Sequence, residues 1–396
     1  MQAQLISRSP DLKRLRDEGY EIEVKGPYLL VHHIPYLNAN QDLCYGTLVS
    51  SLDLSGSTTT RPSYHVIYFA GEYPHRANGS RITGIEHQQC LQELYQGVIV
   101  QYAFSNKPAE GYVDYYQKVS RYADIISAPA KAKFPEATEK THRVVATDDE
   151  DSPFQYLDTN SGRANICQLT ARFEGMKIAI VGLGGTGAYV LDQVAKTPVA
   201  QIHLFDGDVL HTHNAFRSPG AISLEELSVE PMKVVYYREV YSKMHKGIVA
   251  HTAYVTAENL DALDAMDFVF ICLDRNDARG LIASHIRQRG QSFIDVGLGV
   301  NLVDGKLTGM VRVTASTPVQ NDHLHKRLPV GEQGKNEYDA NIQIADLNAL
   351  NAQFAVLRWK KLCGFYHDLE SEHNVLYSIN NSELYNEDQV PAAQLR

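Results

Sequence analysis

No CxxC pair occurs anywhere in this 396-residue sequence. Its five cysteines, Cys44, Cys90, Cys167, Cys272 and Cys363, are odd in number and widely spaced. Structural zinc sites are built from closely spaced thiolate pairs, so no zinc is expected, and the scatter fits reduced thiols better than a disulfide framework. No stretch approaches the roughly 18 consecutive apolar residues that read as a membrane span. The opening residues, MQAQLISRSPDLKRLRDEGY, interleave charge with apolarity and lack the apolar run of a secretory signal, so a cytoplasmic protein without membrane contact is expected. Positive charge is in deficit, with 37 Lys and Arg against 47 Asp and Glu. Binding to nucleic-acid backbones draws on basic patches that release counterions, which makes nucleic acid an unexpected partner.

What is present is the composition of a folded protein, 44% apolar and 21% charged, long enough for two cores. Ser9-Pro10-Asp11 and Gly19 mark the start and stop of a short helix. The runs YEIEV, YLLVHHI, YGTLVSSLDL and SYHVIYFAG are rich in β-branched and aromatic residues and read as an antiparallel meander. Helices are predicted near Gln88 to Gln96 and Tyr112 to Ile126, giving an α+β domain over residues 1–126. A Pro/Ala/Lys stretch ending in the acidic run Asp148 to Asp151 reads as a linker, 127–155. From 156 to 396 strands alternate with helices: KIAIV, QIHLF, IVAHTAYV, DFVFICL and SFIDVGLGV are the strands. That grammar predicts an α/β domain with a Rossmann-like, mostly parallel sheet, preceded by the smaller α+β domain.

Gly182-Leu183-Gly184-Gly185-Thr186-Gly187 follows the strand KIAIV and opens a helix, where glycines allow close backbone approach and helix N–H groups face a phosphate. Asp206, at the end of QIHLF, stands where an acid holds a ribose hydroxyl. These two features alone also suit an NAD-dependent oxidoreductase. Downstream come Asp208, Asn214 and Arg217 in one loop, then Lys233, then Cys272-Leu273-Asp274 closing an apolar strand, and Arg279. An NAD enzyme has no use for that set, whereas a triphosphate needs converging cations and a metal-binding acid.

GxGGxG, D-x-D, N-x-x-R, a lysine, and C-x-D with an arginine five residues later occur in that order. The sequence thereby resembles the ThiF/MoeB/ubiquitin-activating family. The resemblance covers roughly Arg163 to Val313 and implies ATP-dependent adenylation of a C-terminal carboxylate, with Mg²⁺ as cofactor. The substrate it implies is a ubiquitin-like or sulfur-carrier protein, with a conjugating enzyme as a further partner. It places Gly182, Gly184, Gly185 and Gly187 around the nucleotide, Asp206 on the ribose, Arg217 and Lys233 on the triphosphate, and Asp274 on the metal and reacting phosphate. Asn214 supports the loop, with Asp208 as a further contact. The family also lends an arginine across a homodimer; Arg163 is the first choice for that catalytic role and Arg172 the second.

For Asp208 and Arg279 a structural ion pair is as good a reading as ligand contact. Cys272 reads as a core residue, and Cys363 as a position on an amphipathic helix. His323 and His325 read as surface residues of a loop, and His211 and His213 as turn packing. The first domain has a slight likeness to the ubiquitin-conjugating fold, with Cys90 the nearest cysteine, but a partner-binding module is the preferred reading. A nucleotide-binding scaffold without catalysis is the non-enzymatic alternative.

Overall fold

The computed structural model describes residues 2–145, 152–164, 166–329 and 342–390. The chain divides into two compact units, Met1–Thr170 and Ala171–Arg396.

In the first unit α1 (Gln2–Arg8) and α2 (Pro10–Asp17) meet at Ser9, and proline at the first position of α2 sets the break between them. A sheet follows, built from β1 (Ile22–Lys25), β2 (Tyr28–Leu37), β3 (Leu43–Ser51), β4 (Ile67–Ala70), β5 (Glu86–Tyr95) and β6 (Val98–Phe104). It runs β1-β2-β3-β4-β6-β5 with every pair antiparallel. The helix α3 (Tyr115–Lys133) is capped by Asp114, whose side chain accepts from Gln117 N–H at 2.7 Å. Its Tyr115, Val119, Tyr122, Ala123 and Ile126 are fully buried, one stripe at helical spacing that closes the core against the sheet.

Three expectations change here. Residues Gln88 to Tyr95 are not helical; they lie in β5, an edge strand whose side chains are mostly exposed. An edge strand facing solvent has no apolar alternation to betray it, and its polar run EHQQ mimics a helix surface. The helix expected to stop at Ile126 continues to Lys133 through Pro129, so the stretch read as linker begins inside α3, where Ser127 and Ala130 are buried. The second compact unit starts at Ala171, later than 156; Cys167 packs with Tyr28, Leu94 and Val98 of the first unit. The acidic run Asp148 to Asp151 lies outside the described residues.

The second unit has strands β7 (Lys177–Val181), β8 (Gln201–Phe205), β9 (Ile248–His251), β10 (Phe268–Ile271), β11 (Ser292–Val303), β12 (Lys306–Ser316), β13 (Asn374–Ser378) and β14 (Glu383–Glu387). Its main helices are α4 (Gly185–Val194), α5 (Lys233–Tyr241), α6 (Asn276–Gln288) and α7 (Ala345–Leu362). The sheet order is β9-β8-β7-β10-β11-β12-β13-β14, the first five strands parallel and the rest antiparallel. Successive residues of β7 serve opposite cores: Ile178 and Ile180 face the cluster around Trp359, whereas Ala179 and Val181 join Val269 and Ile271 on the other face. Both faces are covered, which is why these strands read as continuous apolar runs. Trp359 on α7 is fully buried, with Phe173 at 4.8 Å between ring centroids and Phe270 at 6.0 Å. Strand order reverses between β7 and β10. At such a switch point the loops beyond the carboxyl ends diverge and leave a crevice for a ligand.

Candidate functional site

The glycine loop leaves β7 at this crevice. Gly182 has φ +90, and a Cβ there would lie 2.6 Å from the Cys272 carbonyl oxygen at the end of β10. A Cβ on Gly187 would fall 1.9 Å from the Gly182 carbonyl oxygen, and one on Gly185 would fall 2.0 Å from Asn348 Nδ2. Side chains are therefore excluded at all three by the tight fold of the loop on itself, on β10 and on α7. Gly184, the N-cap of α4, meets nothing within 4 Å and faces open space. The first turn of α4 carries N–H groups that no earlier residue of the helix can accept from, and the helix dipole adds partial positive charge there.

Charge gathers beside that turn. Asp206, almost fully buried just after β8, accepts from Leu183 N–H (2.7 Å) and from Asp208 N–H (2.8 Å), so one carboxylate ties the glycine loop to the D-x-D loop. Burial lifts its pKa above the ordinary carboxylate value, against the pull of Lys233 and the two N–H groups. Lys233 heads α5 and is itself buried; its Nζ lies 2.6 Å from Asp208 Oδ2 and 3.7 Å from Asp206 Oδ1. Asp208 also accepts from the Tyr254 hydroxyl. Burial alone would raise the Asp208 carboxyl, but the bonds from Lys233 and Tyr254 outweigh it and hold it below the ordinary value.

Asn214 is buried in the short helix Thr212–Ala215, and its Oδ1 accepts from His211 N–H at 2.9 Å. That bond fixes the loop leading to Arg217. The Arg217 guanidinium is half-buried with its Nε closed off and lacking an acceptor. Burial lowers its pKa, while the negative charges of Asp274 and Asp208 act in the opposite sense. Asp274 is exposed, three residues past the end of β10.

Two of the sequence candidates have other partners. Arg279 is buried in α6, with Nε 2.8 Å from Asp295 Oδ1; it also donates to Asn276 and to the Leu273 carbonyl. Asp295 is fully buried and takes a second bond from Arg312 at 2.5 Å, so Arg279 belongs to a buried ion-pair cluster that braces the Asp274 loop from behind. Arg172 donates to the Gly364 carbonyl just past the end of α7. Arg163 closes the short helix Thr159–Arg163, and its side chain lies outside the described residues.

Cys272 packs against the glycine loop and burial drives its thiol far up; burial also raises Cys363, to about 11. Cys90 lies in β5, and burial raises its pKa as well. Thiols so shifted hold little thiolate near neutral pH. His323 is not a surface residue: it is buried, with Nε2 3.0 Å from the Ala315 carbonyl and its ring edge-on to His373. His325 is exposed, as expected.

Sequence reasoning missed Tyr254 and Asn348. Asn348 sits almost fully buried on α7, where its Oδ1 accepts from Thr186 Oγ1 at 2.9 Å. Two asparagines one turn apart, Asn348 and Asn351, among the apolar residues of LNALNA were the available signal. Among the described residues there is no group of three or more His, Cys, Asp or Glu suited to hold a metal alone. The exposed Asp274 fits Mg²⁺ nonetheless, because that ion keeps its waters and uses one or two carboxylates together with substrate phosphates.

A family model described as the ThiF family matches residues 164–384, and one described as a domain of unknown function (DUF6791) matches residues 10–159. The chain is similar to ubiquitin-like modifier-activating enzyme 5 of Drosophila grimshawi, 22% identical over 182 residues, 43% of this chain and 46% of the relative. It is 28% identical over 178 residues to the uncharacterized protein y4qC of Sinorhizobium fredii, 42% of this chain and 30% of the relative. The chain thus spans less than half the length of these relatives. Among solved structures, E. coli MccB with ATP covers 58% of this chain and 68% of its own, at 16% identity and a TM-score of 0.44.

Proposed function

The chain belongs to the ThiF family, and on that premise we propose that its second unit binds ATP at the Gly182–Gly187 loop and adenylates a C-terminal carboxylate. The observation that carries this reading is Arg217: a half-buried guanidinium with an Nε that lacks an acceptor, in a crevice with Lys233 and the first turn of α4. The charges of Asp274 and Asp208 act on the same guanidinium, so it stands among the acids of this crevice, and phosphate oxygens form strong charge-assisted bonds with such a group.

In the proposed reaction a carboxylate oxygen of the substrate attacks the α-phosphorus, and the bond from that phosphorus to the bridging oxygen breaks. Pyrophosphate leaves with the bonding electrons, and an acyl adenylate remains. Two anions must approach each other, so neutralising the phosphates is the main task of the protein. Arg217 and Lys233 supply positive charge, the α4 N-terminus supplies N–H donors, and Asp206 holds a ribose hydroxyl through its remaining lone pairs. Asp274 would hold Mg²⁺, which supplies further charge neutralisation at the phosphates.

The name of the curated relatives supports a ubiquitin-like protein as the substrate, with a sulfur-carrier protein as the variant of the same chemistry. The raised thiols of Cys272 and Cys363 favour hand-off of the acyl group to a partner thiol, such as that of a conjugating enzyme. The first unit would dock that partner. An arginine lent by a second copy, with Arg163 as the candidate, would make the working unit a homodimer.

ATP–pyrophosphate exchange with candidate ubiquitin-like proteins tests the reading. Exchange that disappears in Asp274→Ala supports it. Binding of NADH with no binding of ATP would overturn it in favour of an oxidoreductase, and ATP binding without exchange towards any carboxylate would leave a nucleotide-binding scaffold.

A further inference from the structure

We propose that Tyr254 is the platform on which the adenine base of the bound nucleotide stacks. This inference rests on the reading of the crevice as an ATP site and assigns the part of it that recognises the base.

The strand ends set the direction. The glycine loop follows β7, the acid pair follows β8, and Tyr254 comes three residues after β9; these are adjacent strands in the order β9-β8-β7. Neighbouring strands lie roughly 4.8 Å apart. A nucleotide with its phosphates at α4 and its ribose at Asp206 therefore points its base along the carboxyl edge towards β9, and about 10 Å takes it to the loop that carries Tyr254.

The ring is built into place there. A Cβ on Gly207 would lie 2.7, 2.8 and 2.9 Å from Cε2, Cδ2 and Cζ of Tyr254. Three nearly equal distances to successive ring atoms mean that the ring lies face-on against Gly207, and only glycine between the two acids permits that approach. The hydroxyl donates to Asp208, the carboxylate that also holds Lys233. Asn259 fixes the backbone beneath: its Nδ2 donates to the Tyr254 carbonyl at 3.0 Å and its Oδ1 accepts from Thr256 N–H at 2.7 Å. Half of the residue, 52%, is still exposed. A flat aromatic is thus anchored on one face and at its hydroxyl while the rest of it meets solvent beside the nucleotide acids. Purine bases stack on such surfaces with little regard to hydrogen-bond pattern, which suits a ring whose single polar group, the hydroxyl, is already engaged by Asp208.

Binding of ATP and of inorganic tripolyphosphate to the full chain, both with Mg²⁺ and measured by calorimetry, separates base from phosphate recognition. Tyr254→Ala is expected to weaken ATP by between about 5-fold and about 150-fold, the range for loss of one base stack. Tripolyphosphate binding is expected to stay as in the wild type, which also shows that the variant is folded. Tyr254→Phe keeps the ring and is expected to lose less ATP affinity than Tyr254→Ala. In Tyr254→Trp the new indole fluorescence should be quenched by ATP and not by tripolyphosphate. Unchanged ATP affinity in Tyr254→Ala would overturn the proposal. So would equal losses of ATP and tripolyphosphate, since Tyr254 would then act only through Asp208 and Lys233. A wild-type chain that binds no ATP would instead remove the adenylation reading, and this inference with it.

Discussion

Replacing Arg217 with Met should stabilise the empty protein and weaken its hold on ATP, two effects of opposite sign from one side chain. Arg217 is half-buried and its Nε has no acceptor, and a closed-off N–H without one costs about 1–3 kcal/mol. Methionine keeps the apolar stem and removes that donor. The variant forfeits attraction to Asp274 and Asp208, whose charges act on Arg217. Both carboxylates reach solvent, so that loss is about 0–1 kcal/mol. The balance is a gain of about 0–3 kcal/mol, and its centre of about 1.5 kcal/mol in a unit of this size raises the midpoint of thermal unfolding by roughly 3–6 °C. ATP loses a charge-assisted phosphate contact of about 1.5–3 kcal/mol, an affinity drop of roughly 10- to 150-fold. Trp359, the one tryptophan of the chain, lies in the second unit and reports its unfolding selectively, and ATP titration gives the affinity. A lower midpoint with unchanged ATP affinity would refute the assignment of Arg217 as a cation held in readiness for phosphate.

The fold and site make three further claims that can be checked. Gly187→Ala places a Cβ 1.9 Å from the Gly182 carbonyl oxygen, so the loop must open; ATP binding should vanish in calorimetry and thermal stability should fall. Arg279→Leu takes from the fully buried Asp295 one of the two guanidinium partners it has among the described residues, Arg312 being the other, and should destabilise the second unit by about 1.5–3 kcal/mol in denaturant titrations. Lys118 is fully buried in α3, with Nζ 2.8 Å from Ser50 Oγ and 2.8 Å from the Tyr64 carbonyl, and burial lowers its pKa from 10.5 to about 7. The unfolded chain therefore holds the extra proton between those values, and stability of the first unit should rise with pH from about 7 towards 9, by up to about 1.4 kcal/mol per pH unit. Lys118→Met should flatten that slope in urea unfolding followed by far-UV circular dichroism, and a slope that persists would discount the lysine.

The second unit was far more legible in the sequence than the first, and the physical reason lies in what each kind of element must bury. Strands β7 and β10 are covered on both faces, so KIAIV and DFVFICL announce themselves as unbroken apolar runs, and the intervening helices mark the sheet as parallel. The candidate glycines, Asp206, Lys233 and Asp274 could be named because each stands near a strand end or helix start fixed by local sequence, and Asp208, Asn214 and Arg217 because they share the loop that follows Asp206. Arg279 could not be sorted from the sequence, because it lies on α6 and its partner Asp295 on β11, and the pairing exists only once that helix packs against that strand. Tyr254 was hidden for a similar cause. It follows a weak edge strand, and its contacts, Gly207 and Asp208, come from the neighbouring strand's loop.

The first unit shows the opposite case. Its strand β5 carries exposed Glu, His and Gln on an open edge, where only one side of the backbone is paired and neither face forces an alternation. The informative residues were at its end: Tyr95 pairs with Val98, leaving Gln96-Gly97 as a two-residue turn with Gly97 at φ +73. Read from that glycine outwards, EHQQCLQELY and VIVQYAF are the two arms of a hairpin, and the second arm, buried at Val98, Val100, Ala103 and Phe104, is what holds the first in place. Turn chemistry therefore outweighs side-chain polarity at a sheet edge. That places Cys90 in the middle of a mostly solvent-facing strand, where burial of its own thiol raises the pKa, away from the thiolate that conjugation would need.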